Sequence, residues 1–201
     1  MKKTVIASML ALVGSLATLS SYGQGSVIFE NYDFGALNAP VTFGVTANVS
    51  GVSGISGQAL GSEFTAALLY SLDGGANYTL LTQAAAGAGG AYPTVFSGTD
   101  GNAASGAGYF LGPTVTIPGY TSGAVSFIVQ AYTGGSSYAT ATWNGQSAPF
   151  SVPGLATGQS PASQFPGGSL QSFSVLPVPE PSIFALSGLG AAALMLIRRK
   201  K

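Results

Sequence analysis

Apolar residues in this chain come in short pieces, and that limits the folds open to it. Between residues 24 and 177 no stretch holds an apolar period of 3.6 residues for three turns. The one alanine-rich run, residues 83–91, is cut by Gly87, Gly89 and Gly90. Glycine costs a helix interior about 1 kcal/mol relative to alanine. Strand patterns recur instead, at residues 26–31, 41–49, 63–72, 78–83, 93–96, 108–117, 124–133, 137–143, 149–152 and 170–176. They are rich in β-branched and aromatic residues and are bounded by Gly, Asn, Ser and Pro.

Two hairpins stand out. Residues 64–72 and 78–82 flank the turn Asp73-Gly74-Gly75-Ala76-Asn77, and residues 124–133 and 137–143 flank Gly134-Gly135-Ser136. In the second, Tyr138, Thr140 and Thr142 alternate as a half-buried strand would. About ten short strands with frequent turns predict an all-β fold, a single antiparallel β-sandwich of jelly-roll or Ig-like type over residues 24–177. Residues 153–168 read as a loop before the last strand.

Charge is segregated. The six Lys and Arg are Lys2, Lys3, Arg198, Arg199, Lys200 and Lys201, and the six acids, Glu30, Asp33, Glu63, Asp73, Asp100 and Glu180, lie between them. A body with no positive side chain cannot neutralise phosphates, so no nucleic-acid partner is expected. The absence of His and Cys excludes zinc-type metal sites, cysteine nucleophiles, histidine triads and disulfides.

The basic ends address the chain. Lys2 and Lys3, the apolar residues 5–19 and the small residues after them form a secretory signal peptide over residues 1–23, with cleavage between Gly23 and Gln24. At the other end, residues 183–197 (IFALSGLGAAALMLI) form an uncharged run followed by Arg198, Arg199, Lys200 and Lys201. Those four cations hold the tail in the cytoplasm and leave the body outside. At about 1.5 Å per residue the predicted transmembrane helix spans about 22 Å, short for a hydrocarbon core of about 30 Å. Its small residues suit close packing against another helix. Before it, residues 178–182 (VPEPS) hold two prolines around one acid, which keeps the backbone extended, as a processing enzyme requires.

The order VPEPS, apolar helix and RRKK at residues 178–201 resembles the PEP-CTERM sorting signal of Gram-negative bacteria. The resemblance implies that Pro179, Glu180 and Pro181 are the recognition motif. It also implies an integral-membrane exosortase as processing partner, after export by the general secretion machinery. The helix would anchor the precursor in the membrane until its removal, and delivery would be to the cell surface or extracellular matrix. Residues 106–118 and 121–143 are more loosely similar to β-sandwich bodies often carried by such proteins.

Within the body the expectation is a non-enzymatic structural or adhesive protein with no cofactor. The alternative is a carbohydrate-binding module for exopolysaccharide, with Trp143, Tyr132 and Tyr138 as stacking rings and Tyr92, Tyr120 and Asn144 as further candidates. A secreted glycan-active enzyme would need two of the carboxylates across one cleft. No metal site is expected; Asp73 with Asn77, and Asp100 with Asn102, are weak calcium candidates, and each Asp precedes a Gly as turn chemistry alone requires. The sequons at Asn48 and Asn77 are expected to be accidental.

One consequence is directly measurable. Trypsin digestion of the denatured chain is expected to leave residues 4–198 as one uncut fragment by mass spectrometry, because no Lys or Arg lies between Thr4 and Ile197.

Overall fold

A computed structural model of the protein describes residues 24–33, 36–49, 51–84, 91–98, 106–158 and 160–179. The predicted signal peptide, and the predicted membrane helix and basic end beyond Pro179, lie outside the described residues. So does Asp100.

The described chain is all-β, as the turn-punctuated pattern requires. The strands are β1 (Gly25–Glu30), β2 (Val41–Phe43), β3 (Ala47–Val49), β4 (Val52–Gly54), β5 (Thr65–Ser71), β6 (Thr79–Leu80), β7 (Thr94–Val95), β8 (Leu111–Ile117), β9 (Val125–Thr133), β10 (Trp143–Gln146), β11 (Phe150–Val152) and β12 (Phe173–Pro177). Eight of them form one sheet in the order β2-β12-β10-β9-β5-β6, with β11 also on β9 and β7 also on β5. β1 and β8 form a separate antiparallel ribbon, and β3 and β4 a small hairpin.

β9 is the spine of the large sheet. It pairs along its length with β5, from Thr65↔Tyr132 to Ser71↔Ser126, and on its other edge with β10 and β11. Both faces are covered. Val125, Phe127, Val129 and Ala131 point into the main core, which also takes in Val27, Phe29, Val115 and Ile117 of the ribbon. On the opposite face Tyr132 packs with Ala67 and Ala141 in a smaller cluster, with Tyr138 against it.

The expected sheet was purely antiparallel; the structure differs at β12. This strand runs antiparallel to β10 but parallel to β2, with Phe173↔Val41 and Val175↔Phe43. A parallel pair needs a long crossover, and β2 and β12 come from opposite ends of the body, so the whole intervening chain serves as one.

Two strand assignments also change. Residues 41–49 make two strands, because Phe43 and Gly44 turn their backbone to Gln58 and Val175, and β3 then pairs with β4. Residues 137–141 leave the expected second arm of the β9 hairpin. Tyr138–Thr140 is a 3₁₀ turn, and the returning strand starts at Trp143, opposite Thr133. Ser137 N–H donates to the Thr140 hydroxyl at 3.2 Å, and Thr140 N–H to the Ser137 carbonyl at 3.1 Å. Short hydroxyl side chains compete in this way with the ladder. Gly134 enters the loop with φ 74°, a conformation that favours glycine.

Buried polar side chains join the elements where ladders stop. Asn31, with no exposed surface, closes the end of β1. Its Nδ2 donates to the carbonyls of Ala39 at 2.8 Å and Gly108 at 2.9 Å, and its Oδ1 accepts from Phe110 N–H at 2.7 Å. One amide thereby ties β1, the approach to β2 and the approach to β8. On the outer edge of β5, between β6 and β7, the Tyr92 hydroxyl takes the place of a strand residue. It accepts from Leu68 N–H at 2.7 Å and donates to Leu68 O at 3.1 Å. Between β10 and β11 the Ser147 hydroxyl accepts from Val129 N–H at 3.0 Å while Ser147 N–H donates to Val129 O at 2.9 Å.

Asn31→Leu keeps the volume and removes all three bonds; the Gly108 carbonyl still accepts from Val41 N–H, while the Ala39 carbonyl and Phe110 N–H lose the side-chain partner. At 1–3 kcal/mol for each unsatisfied group, the variant is expected to lose about 2 kcal/mol or more, read as a lowered urea midpoint with unchanged slope.

Candidate functional site

The Asn31 junction also shapes a groove. Its bonds hold the end of β1 beside the segment entering β8, so Glu30, Tyr32 and Asp33 face Tyr109, Phe110 and Leu111 across a cavity of about 330 Å³. Asp33 N–H donates to Leu37 O at 2.9 Å, and the Tyr109 hydroxyl donates to Asn38 Oδ1 at 2.8 Å, which fixes both walls. The rings of Tyr32 and Tyr109 meet edge to face, with centroids 5.1 Å apart. Tyr32 is 41% exposed and Leu111 71%, so the mouth is aromatic and apolar.

Glu30 lies at the base, 7% exposed. Gln164 Nε2 donates to its Oε1 at a long 3.5 Å. Burial pushes the Glu30 carboxyl above the usual glutamate range, the charge of Asp33 pushes it further, and the Gln164 bond pulls it partly back. Two carboxylates thus share one groove, in a body with no cation to compensate them.

The other described acids, Glu63 and Asp73, are separate. Glu63 lies on an open groove of about 610 Å³ under the β3–β4 hairpin, with Asn48, Ser53 and Gln58. Asp73 sits in the β5–β6 turn, where Ser71 Oγ donates to Oδ1, Asn77 N–H donates to Oδ1 at 3.0 Å and Asn77 Nδ2 to Oδ2 at 2.7 Å. These bonds hold its carboxyl well below the usual aspartate range, the Ser71 bond most of all. They are the turn chemistry that an Asp before a Gly supplies.

The aromatic side chains expected to stack on sugars are mostly inside. Trp143 is 6% exposed, edge to face against Phe43 in the main core. Tyr132 is 7% exposed and meets Tyr138 edge to face at 6.5 Å; burial pushes both phenols above their ordinary range. Tyr92 and Tyr120 are also buried, Tyr120 accepting from Leu155 N–H at 2.9 Å. A stacking platform needs an open ring face, and neither Trp143 nor Tyr132 has one. Alternation along β9 and β10 puts these rings on strands, but it does not say that both faces of the sheet are covered there. The ring at the mouth of the Glu30 groove is Tyr32, 41% exposed and edge to face against Tyr109.

Of the expected processing residues, Gln24 and Pro179 are described, and both are exposed. Gly23, Glu180, Pro181, Arg198, Arg199, Lys200 and Lys201 lie outside the described residues. β12 ends at Pro177, and Val178 N–H still donates to Thr142 O at 2.8 Å. The chain therefore leaves the sheet immediately before Pro179. No helix among the described residues is long and apolar enough to cross a membrane.

Residues 177–200 match the family model of the PEP-CTERM protein-sorting motif. Neither a curated protein nor a solved structure matches the chain. The motif, at the C-terminus and in register with the expected tail, implies an exported protein that is anchored in the membrane before an exosortase processes it.

The raised Glu30 carboxyl gives a stability prediction with a definite sign. The folded state holds that proton more tightly than the unfolded state does. The associated stability is therefore present below the ordinary glutamate pKa and is lost as pH rises through the raised value. Glu30→Gln is expected to be more stable than the parent chain at pH 7, with the gain closing below about pH 4, in urea titrations at both pH values.

Proposed function

We propose that the protein is a non-enzymatic structural or adhesive component of the cell surface or extracellular matrix. In this reading a two-layer β-sandwich body is exported by the general secretion machinery and released from its membrane tail by an exosortase. The observation that carries it is the junction of body and tail. The last backbone bond of the sheet is made by Val178, and Pro179 follows it exposed at the surface. Pro179 and Pro181 have no N–H to contribute to a ladder. The prolines of the motif can therefore add no donor to the body's ladders, which suits recognition of the motif as linear chain by a membrane enzyme.

The body suits a passive role outside the cell. Buried polar side chains such as Asn31 and Ser147 tie its strands together by hydrogen bonds. It offers trypsin-like proteases no cleavable residue between Thr4 and Ile197. Once both ends are removed it is acidic, which keeps it soluble by self-repulsion and mismatched to anionic partners.

Mass spectrometry of the surface form tests the processing. It is expected to lack residues 1–23 and the basic end, and Glu180→Ala is expected to leave the precursor with its tail. An intact Arg198–Lys201 end on the native surface form would overturn the processing step.

A further inference from the structure

On the reading that an exosortase processes the tail, we propose that Leu176, Pro177 and Val178 serve twice. They complete β12 in the folded body, and they leave it to become the chain that the enzyme grips upstream of Pro179. The folded body thereby slows its own release from the membrane.

The conflict is one of hydrogen bonds. An enzyme that takes its substrate as extended chain holds it through main-chain bonds, as an added strand is held. Each backbone N–H is a single donor and cannot serve the sheet and the enzyme together. In the folded body Val178 N–H is committed to Thr142 O at 2.8 Å, and Leu176 and Pro177 stand opposite Asn144 and Trp143 of β10. Pro179 is the next residue. No spacer separates the last bond of the sheet from the motif.

The packing divides what stays from what can leave. Val175 has no exposed surface and belongs to the main core, and its carbonyl accepts from Gly44 N–H at 2.9 Å. β10 approaches this stretch so closely that a Cβ on Gly145 would collide with the Ser174 carbonyl. Beyond Val175 the hold is slight. Leu176 is 51% exposed and Val178 37%, and Pro177 has no N–H to give. Opening residues 176–178 therefore gives up little apolar burial and leaves Val175 seated. At about 3.3 Å per residue it supplies about 10 Å of chain between the body and Pro179. Such local opening at a strand end is far less costly than unfolding the body.

Tail loss from the full-length chain, followed by mass spectrometry in membrane vesicles that contain the exosortase, tests this. A Gly-Ser-Gly-Ser insert between Val178 and Pro179 supplies chain without opening the sheet. It is expected to speed tail loss about fivefold, the factor carried by one ordinary neutral hydrogen bond, with the thermal midpoint unchanged. Thr142→Cys combined with Val178→Cys locks the strand end, in a chain with no cysteine of its own. Directly opposed residues of an antiparallel pair lie within disulfide reach. The cross-linked form is expected to lose its tail at least about fivefold more slowly than the same variant after reduction. A merely distorted body would not recover on reduction. Equal rates for the parent and the insert, or for the oxidised and reduced double variant, would overturn the proposal. Retention of the tail by the parent, the insert and the reduced variant alike would overturn the processing reading itself, and this proposal with it.

Discussion

The body of this protein has to fold without a positive charge. In most domains a buried carboxylate or a broken strand edge can be met by Lys or Arg; between Thr4 and Ile197 neither exists. The remaining means of satisfying a buried polar group is a neutral hydrogen bond. Such bonds contribute about 1 kcal/mol each when made and cost more when one partner is left without the other. The fold therefore depends on geometry at a few polar side chains more than a charged domain would.

Asn31, Tyr92 and Ser147 show how this is done. Each stands where a ladder is interrupted, and each supplies the missing donor or acceptor from a side chain, as Ser147 does for Val129 and Tyr92 for Leu68. Asn31 uses both ends of its amide and ties its own stretch of chain to the nearby Ala39 and to the distant residues Gly108 and Phe110. Asp73 follows the same rule at the surface, with a hydroxyl and amides in place of a cation. Glu30 departs from it, and its carboxyl carries the strain of burial beside Asp33. The groove that holds it has an aromatic mouth formed by Tyr32 and Tyr109.

Much of the architecture was readable along the chain, because strand periodicity and turn chemistry are local. Residues 63–72 and 124–133 became β5 and β9, and Asp73 and Asn77 close the turn after β5. Three features were not local. The parallel pairing of β2 with β12 joins opposite ends of the body, and no short pattern encodes it. The 3₁₀ turn at Tyr138–Thr140 imitates strand alternation; what separates the two is that Ser137 N–H donates to the Thr140 hydroxyl and Thr140 N–H to the Ser137 carbonyl. The burial of Trp143 depends on which strand covers it, so an aromatic side chain that reads as an exposed platform sits against Phe43 instead. The groove is not local either, since Tyr32 and Tyr109 meet across the Asn31 junction. The sorting motif was readable because its residues are consecutive in the chain, and the family model matches it over residues 177–200.

The claim that hydrogen bonds stand in for ion pairs throughout the body is tested most directly by salt. Ion pairs weaken as ionic strength rises, and repulsion among like charges weakens too. The thermal midpoint of residues 24–177 can be measured from 10 mM to 500 mM sodium chloride, concentrations that shorten the screening length from about 30 Å to less than half of that. A body held by neutral bonds and carrying only acids will keep its midpoint or raise it slightly. A midpoint that falls steadily with added salt would mean that attractive charge pairs hold the fold, and would contradict the account.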